Sequence, residues 1–398
     1  MEKGVKILMI LALLSVSTVA FCGGAVVEEN RTFVDDVGRE ITLPVTIDAV
    51  SPSGPLAQIV LYSLDQDLFV SVSSEFTDAQ ATYIDPRLLT LPVTGQFYGS
   101  KASTMNPESI MELNRQLNID VVLDIGEAKK TMKADLDDIQ AKTNVPFAFI
   151  TQNKLEDIPG SYVKLGELLS RPERGQELSD YVSALLAEFD SGMKKVGDNK
   201  KSLIYVTAID GNSVSMVGSG SYHAEVIDYL ANNLAKPAAS SSGTGDGYTM
   251  EDILQMDPDY IIVGYTDGHA YYNEIMTKPM WQSLSAVKEG NVYEAPYGPY
   301  NWMGGPPSVQ RLLSMIWLGN LMYPDVFDYT IDDRVKEFYS LFFRYDLTDA
   351  ELGDLMVYAK PGTASASSPT PAQSPAPLFG VLAGLAAAAA IIGAGRRR

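Results

Sequence analysis

One long amphipathic pattern constrains the fold of this chain more than any other feature. Between residues 171 and 196 apolar side chains recur every three or four residues, the period of a helix with one buried face. Ser170 and Glu173 have the spacing of a capping box. Pro172 suits a first helical turn, and Gly197 ends the pattern. At 1.5 Å per residue, about 25 residues give a rod of roughly 37 Å, nearly the width of a small domain.

The sequence on the two sides of this helix is similar. Residues 106–113 form a polar cap and an amphipathic stretch, followed at 120–126 by an apolar run that ends at glycine. Residues 249–256 and 259–264 repeat this order. One such unit is typical of any helix that precedes a buried parallel strand. Two units on opposite sides of a long helix predict two similar lobes joined by a rod.

The rest of the chain also alternates between strand and helix patterns. The first lobe spans residues 32–152 and has predicted strands at 69–72, 93–99 and 147–150. Linking helices occupy residues 160–197, and the second lobe spans residues 201–357. Alternation at this spacing favours parallel sheets covered on both faces. The predicted fold class is α/β, with two Rossmann-like lobes, parallel-rich sheets and one long backbone helix.

The composition limits the possible functions. With 398 residues, of which 46% are apolar, the chain can bury two sizeable cores. Its formal net charge of −20 opposes binding to nucleic-acid backbones. The two histidines and one cysteine are too few for a His-rich zinc or manganese site.

Motifs of catalysis are also missing from the sequence. The loop at 218–221 is similar to a dinucleotide fingerprint, but His223 occupies the place of the third glycine. We find neither a nucleophile elbow nor a phosphate loop in the sequence. The chain is therefore predicted to bind a ligand rather than to catalyse a reaction, with no intrinsic cofactor and no metal ligands of its own.

The two ends of the chain predict secretion and attachment to a membrane. Residues 1–25 have the charged start and short apolar run of a signal peptide, and Cys22 stands where a lipid-modified cysteine would. Asn30 begins a glycosylation sequon. Residues 361–377 form a linker rich in Pro, Ser and Ala, and 378–398 form an apolar run that ends in three arginines. This last segment is either a retained transmembrane anchor or a sorting signal replaced by lipid.

The repeated units and the helix between them resemble the substrate-binding proteins of ABC importers for ferric siderophores, haem and cobalamin. The resemblance covers about residues 32–357, from an opening hairpin at 32–44 to the aromatic residues at 299–302 and 338–339. The family's usual Leu-x-Pro-Asp is stretched here to residues 113–120. The C-terminal segment resembles archaeal surface-sorting signals, although its Pro-Leu-Phe-Gly departs from their usual Pro-Gly-Phe.

The resemblance implies a monomeric protein outside the cell, tethered to the cytoplasmic membrane. It would deliver an iron chelate, haem or a corrinoid to an ABC permease and its ATPase. Two alternatives remain open. One is a receptor for a directly coordinated metal ion. The other is a metallo-enzyme or nitrogenase-like subunit, for which the cysteine content is low.

Candidate ligand-binding residues follow from position and from the resemblance. Ligands of open α/β sheets bind at the carboxyl ends of strands, where several tyrosines of this chain are predicted to lie. Aromatic faces with a polar rim suit a large, flat or greasy chelate. Lys101 and Arg311 could balance an anionic ligand. The candidate ligand-binding residues are Ser53, Tyr98, Lys101, Tyr222, His223, Tyr265, Tyr300, Trp302 and Arg311.

Glu108 and Glu251 occupy equivalent positions in the two repeats. A carboxylate at the start of a helix is often explained by the helix dipole alone. In the resembling family, however, one surface glutamate on each lobe pairs with arginines of the importer. A two-fold transporter presents two equivalent surfaces, so a receptor with two similar lobes suits it. Glu108 and Glu251 are therefore the candidate permease-docking residues.

Overall fold

The computed structural model describes residues 29–97, 104–221, 223–236 and 245–362. The strands are β1 Asn30–Val34, β2 Glu40–Pro44, β3 Val50–Pro52, β4 Val121–Gly126, β5 Phe147–Thr151, β6 Ser202–Asp210, β7 Ser213–Met216, β8 Asn232–Asn233, β9 Asp246–Thr249, β10 Tyr260–Val263 and β11 Val292–Glu294. The α-helices are α1 Pro55–Leu64, α2 Asp78–Ala81, α3 Pro107–Leu117, α4 Met132–Thr143, α5 Ile158–Leu168, α6 Pro172–Val196, α7 Glu225–Leu230, α8 Met250–Met256, α9 Ala270–Thr277, α10 Ser285–Glu289, α11 Arg311–Met322, α12 Ile331–Phe338 and α13 Asp349–Leu355.

The predicted rod is α6, a continuous helix of 25 residues. Gly197, with φ of 58°, ends it as expected. The predicted capping box at its start is wrong. Arg171 precedes the helix without a side-chain cap, while Ser170 adopts φ of 57° and donates its hydroxyl to the Val45 carbonyl at 2.8 Å. The serine holds the chain entry against the first lobe instead of capping the helix.

The repeat is present in the structure. In each copy a helix (α3 or α8) leads into a strand (β4 or β10) that lies inside its sheet. Asn106 caps α3 by accepting the Glu108 N–H at 2.9 Å, and Thr249 forms a capping box at the start of α8. Asn118 and Asp257 end the two helices in the left-handed conformation. The two lobes therefore use the same unit to place a central strand.

The sheets of the two lobes differ in direction. The first lobe contains the parallel sheet β3-β4-β5. The predicted strand at 69–72 and the described part of that at 93–99 are reduced there to single bridges of Phe69 with Val50 and of Val72 with Val93. The second sheet has the order β11-β10-β6-β7-β9, with β8 beside β6. Its β8, β6, β10 and β11 are parallel, and the β6–β7 and β7–β9 pairs are antiparallel.

Three hydrophobic cores hold these layers together. One lies on the outer face of the first sheet and one on the outer face of the second. The third is larger and is built from both lobes, α6 and the C-terminal helices. We call it the shared core. Its large, fully buried side chains include Tyr62, Tyr162, Phe189, Trp302, Trp317 and Tyr339.

The segment after α12 returns to the first lobe. After α12, a π-helical turn at Tyr339–Phe343 packs against α1. Gln66 donates its amide to the Phe343 carbonyl at 2.7 Å, and the Tyr62 ring contacts the Phe343 ring at a centroid distance of 6.1 Å. The lobes are therefore connected twice, through α6 and through this C-terminal return, which the sequence did not indicate.

Within the described residues, no helix combines the length and apolar character needed to span a membrane. The predicted signal peptide, Cys22 and the segment 378–398 lie outside the described residues.

Candidate ligand-binding cleft

Three cavities open at strand ends of the two lobes, and the segment at 301–307 lines two of them. The first-lobe cavity, of about 120 Å³, lies at the carboxyl ends of β4 and β5. The second-lobe cavity, of about 210 Å³, lies at β6 and after β10. A third, of about 280 Å³, lies between α2 and the end of β11 and is called the aromatic pocket. Tyr265 lines both of the latter two, so they adjoin.

Asp124 dominates the first-lobe cavity. It is only 5% exposed, and Ser53 donates its hydroxyl to Oδ1 at 2.5 Å. Oδ2 has no hydrogen-bond partner. Burial raises the pKa of Asp124 to about 7, and the bond from Ser53 opposes that shift. At neutral pH this carboxyl can either accept or donate a hydrogen bond to a ligand.

Two amides extend the polar wall beside Asp124. Gln152 and Asn153 follow β5 and line the same cavity. Gln152 donates its amide to Ser161 at 2.7 Å and accepts a weak bond from Ser308 at 3.5 Å. Lys129 and Glu127 line the mouth of this cavity. The first lobe therefore presents hydrogen-bonding and ionisable groups of both signs.

The second-lobe cavity is more aromatic. Tyr205, on β6, is buried with its pKa raised by burial to about 12, so its phenol stays protonated. His223 is half-buried, and its Nδ1 lies 3.2 Å from the Gly304 carbonyl. Burial lowers the pKa of His223, which favours the neutral ring. With Nδ1–H donated to that carbonyl, Nε2 is left as an acceptor.

The structure brings some predicted residues to the cleft and places others elsewhere. His223 and Tyr265 line the cavities. Ser53 is buried and acts through Asp124 rather than as a wall of its own. Tyr98, Lys101 and Tyr222 lie outside the described residues, so their place in the cleft stays a prediction.

The predicted cleft positions of Tyr300 and Trp302 are wrong. Both belong to the shared core, and Trp302 is 0% exposed. The chain after β11 turns back, because Trp302 donates its N–H to the Pro296 carbonyl and its own carbonyl accepts the Ser314 hydroxyl. The Trp302 ring then meets Trp317 edge-on at 6.4 Å. These aromatic residues stabilise the junction of the lobes instead of contacting a ligand.

Arg311 was predicted to balance an anionic ligand, and this too is wrong. Its side chain is 1% exposed, and Nη1 donates to Glu225 Oε2 at 2.5 Å. Glu225 Oε1 accepts the Leu155 N–H at 3.0 Å, which places the ion pair at the junction with the first lobe. The positive charge of Arg311 is already balanced inside the protein.

Sequence reasoning missed Asp124, Tyr205, Asn301, Glu294 and Tyr297. Asp124 had a usable signal, since it is the one charged residue inside the apolar run at 121–126. Burying a carboxylate in a strand that is covered on both faces costs free energy, so a carboxylate at such a position suggests a functional role. The other four residues gave no comparable signal, because their positions depend on how distant segments turn.

Glu108 and Glu251 are exposed residues in the first turns of α3 and α8. They occupy the same place in the two copies of the repeat, as predicted. Within the described residues, no group of three or more His, Cys, Asp or Glu side chains is arranged to hold a metal ion.

Two α/β lobes, joined by the long helix α6 and by the C-terminal return, carry cavities at the ends of their strands. The sequence profile of the periplasmic binding protein family matches residues 120–297. This match covers somewhat less than half of the chain, and over that part the chain is similar to the family.

Individual relatives are distant. The chain is 23% identical over 188 residues to the Fe(3+)-citrate-binding protein YfmC of Bacillus subtilis, a match to 47% of this chain and 57% of that protein. Its fold is similar to an ABC transporter solute-binding protein from Sulfurospirillum deleyianum, with TM-score 0.72, 24% identity and coverage of 82% and 98% of the two chains. A periplasmic solute-binding protein from Veillonella parvula gives TM-score 0.68, 24% identity and coverage of 84% and 100%.

Proposed function

We propose that this chain is the solute-binding protein of an ABC importer and captures an iron chelate between its lobes. The observation that carries the proposal is the set of cavities at the strand ends of both lobes, two of which adjoin through Tyr265. They combine aromatic side chains with a few hydrogen-bonding groups, the usual composition of a small-molecule site.

Two observations support a chelate over a bare metal ion. Within the described residues, no cluster of His, Cys, Asp or Glu offers a metal three donors. The aromatic walls suit the organic shell of a chelate. The relative named for Fe(3+)-citrate gives further support. The cavities, at about 120 to 280 Å³, are each smaller than typical ligand pockets of 300–1,000 Å³. Their size favours a compact iron chelate over haem or a corrinoid.

Delivery would require docking on the permease and its ATPase. Glu108 and Glu251, one exposed on each lobe, are the residues proposed to contact basic patches of the importer. Such charge pairs steer docking more than they hold the complex. We further propose that the protein is monomeric and tethered outside the cytoplasmic membrane.

Ligand titration tests the central proposal. The full chain, freed of metal, would be titrated with ferric citrate, a ferric hydroxamate, haem, cobalamin and free Fe³⁺ or Mn²⁺, following tryptophan fluorescence. At least one ferric chelate should bind with micromolar or tighter affinity, and Tyr265→Ala should weaken it by about 1–3 kcal/mol. Glu173→Gln, on the exposed start of α6, is the matched control. Binding of free metal ions without any chelate would overturn the proposal in favour of a metal-ion receptor.

The tether is tested separately. Deleting residues 378–398 should release a folded binding protein into the medium, because the apolar segment would be gone. Immunoblots of medium and membrane fractions measure this. Membrane-bound protein after the deletion would contradict the C-terminal tether and point to a lipid at Cys22.

A further inference from the structure

The aromatic pocket has a composition that an iron chelate alone does not explain. It is lined by Tyr83, Tyr265, His269, Glu294, Tyr297 and Tyr358. The Tyr265 and Tyr297 rings stack at 5.1 Å with an interplanar angle of 16°. The His269 ring lies 6.0 Å from Tyr265 and 4.5 Å from Tyr358. The rings thus form one continuous aromatic wall.

Glu294 lies at the base of this pocket. It is 4% exposed, and its Oε2 is 2.5 Å from His269 Nδ1. Oε1 is buried without a hydrogen-bond partner. Leaving a buried carboxylate oxygen unpaired costs free energy, so a site with this feature favours a ligand that supplies a donor or a positive charge.

Apart from His269, which pairs with Glu294, the charged residues around the pocket are acidic. Asp354 lines its rim, and Asp267 lies beside the Tyr265 hydroxyl. None of the described residues that line the pocket is a lysine or an arginine. Aromatic faces carry a negative quadrupole and attract cations, most strongly where water is excluded. The pocket is therefore built for a positive group.

The positive group is better explained as organic than as a metal ion. Within the described residues, no group of three or more His, Cys, Asp or Glu side chains is arranged to hold a metal ion. Burial, and then the charge of Asp267, raise the pKa of Tyr265, which opposes its use as a phenolate ligand. An alkylammonium group needs no such donors. One buried carboxylate and several ring faces suffice for it.

We propose that the aromatic pocket binds an alkylammonium group. Because Tyr265 also lines the second-lobe cavity, the ammonium group belongs to the ligand held in the cleft. Resting on the proposed function, this defines the ligand class as iron chelates whose organic part carries a protonated amine. Polyanionic chelates are then disfavoured by Glu294 and Asp354.

A first experiment tests the pocket without iron. The full chain is titrated with choline and with 3,3-dimethylbutan-1-ol, its uncharged isostere, by NMR of the protein. Choline should bind about tenfold or more tightly, as expected for a desolvated cation–π site. Equal affinity for the two probes would overturn the proposal.

Substitutions in the aromatic pocket show which residues cause the preference for choline. Glu294→Gln keeps an acceptor for His269 but removes the charge, and it should abolish the preference for choline. Glu173→Gln, which removes an exposed carboxylate at the start of α6, should leave the preference in place. If Glu294→Gln does not fold, Tyr297→Leu should lower the preference while Tyr297→Phe retains it. A preference unchanged in either Glu294→Gln or Tyr297→Leu would contradict the assignment.

A second experiment separates this inference from the proposed function. Ferrioxamine B, a ferric hydroxamate with a free amine, is compared with its N-acetyl derivative, in which the amine is neutral. The amine form should bind about tenfold more tightly. Binding of ferric chelates without an amine preference would overturn the ammonium pocket and leave the chelate function standing. A preference for choline without binding of any ferric chelate would support the ammonium pocket and overturn the chelate function.

Discussion

The two lobes are alike at one end of their strands and different at the other. At the start of β4, Asp120 Oδ2 accepts the N–H groups of Asp48 and Ala49 at 2.8 and 2.9 Å. At the start of β10, Asp259 Oδ2 accepts the Ser202 N–H and hydroxyl at 2.8 and 2.9 Å. In each copy an aspartate ties its strand to a neighbouring strand of the same sheet.

The carboxyl ends of these strands have diverged. Four residues after Asp120 stands Asp124, a buried carboxyl held by Ser53, whereas four residues after Asp259 stands Val263. The first lobe turns an ionisable group toward the cleft, and the second turns tyrosines toward it. The repeat therefore specifies the scaffold of each lobe, while the ligand-facing ends were shaped separately.

The largest effect should come from the core that the lobes share. Trp302→Ala removes a fully buried ring and should lower the free energy of unfolding by about 3–5 kcal/mol. Because this core includes both lobes, urea denaturation should still show one transition. Unaltered stability combined with lost ligand affinity would return Trp302 to the cleft.

The next effect concerns the ionisable end of the first lobe. A carboxyl whose folded pKa is near 7 favours folding in its neutral form, so stability falls as pH rises from about 4 toward 7. Asp124→Asn should remove this loss, and the variant should exceed the parent by roughly 2–4 kcal/mol at pH 8 but not at pH 4. Urea titrations at both values measure it.

A surface carboxylate provides the control for this pH effect. Asp67→Asn alters an exposed residue and should change neither curve. A gain from Asp124→Asn that is equal at pH 4 and pH 8 would mean that the gain does not arise from ionisation of Asp124.

A smaller and matched effect is expected at the other strand ends. Asp120→Ala and Asp259→Ala each remove an acceptor of two hydrogen bonds, so each should cost about 1–2 kcal/mol. The double variant should equal the sum of the two, because the residues lie in different lobes. Markedly unequal losses of stability would show that the two aspartates do not stabilise their lobes to the same extent.

The smallest effect on stability is expected at the docking residues. Glu108→Lys with Glu251→Lys should change the unfolding free energy by less than about 0.5 kcal/mol, since both are exposed. The pair should nevertheless abolish ligand-stimulated ATP turnover by the importer and leave ligand affinity intact.

Glu173→Lys is the control for docking. This substitution reverses the charge at another first-turn carboxylate, on a helix outside the repeat. The variant should still stimulate ATP turnover by the importer. Full stimulation of the double variant, or a loss of ligand affinity in it, would contradict the docking role.

Periodicity and repetition predicted most of the fold. The apolar spacing gave α6, and the two similar stretches gave the paired units α3–β4 and α8–β10. Local chemistry was less reliable, since Ser170 had the right type and spacing for a cap but bonds to Val45. A cap depends on the path of the preceding chain, which the spacing of residues does not report.

The site was only partly predictable. Tyr265 follows a strand, and it lines two of the cavities. Trp302 also follows a strand, but its loop folds back and buries the ring in the shared core. The sequence does not tell whether such a loop continues outward or folds back. Arg311 was misread since its partner, Glu225, lies 86 residues away in the sequence. The pKa of Asp124 likewise depends on burial contributed by several segments.

The C-terminal return also has a kinetic consequence. Swinging the lobes apart would break the Gln66–Phe343 bond and the contacts of Phe343 with Tyr62, as well as bend α6. If these contacts together cost about 4 kcal/mol, the open form is roughly one molecule in a thousand. Ligand then enters and leaves through an opening between the lobes whose width is nearly constant. The distance between spectroscopic labels placed on the two lobes should therefore not change when the ligand binds. Under the proposed function, an importer would then have to recognise the cargo itself, because the carrier would keep the same outline whether full or empty.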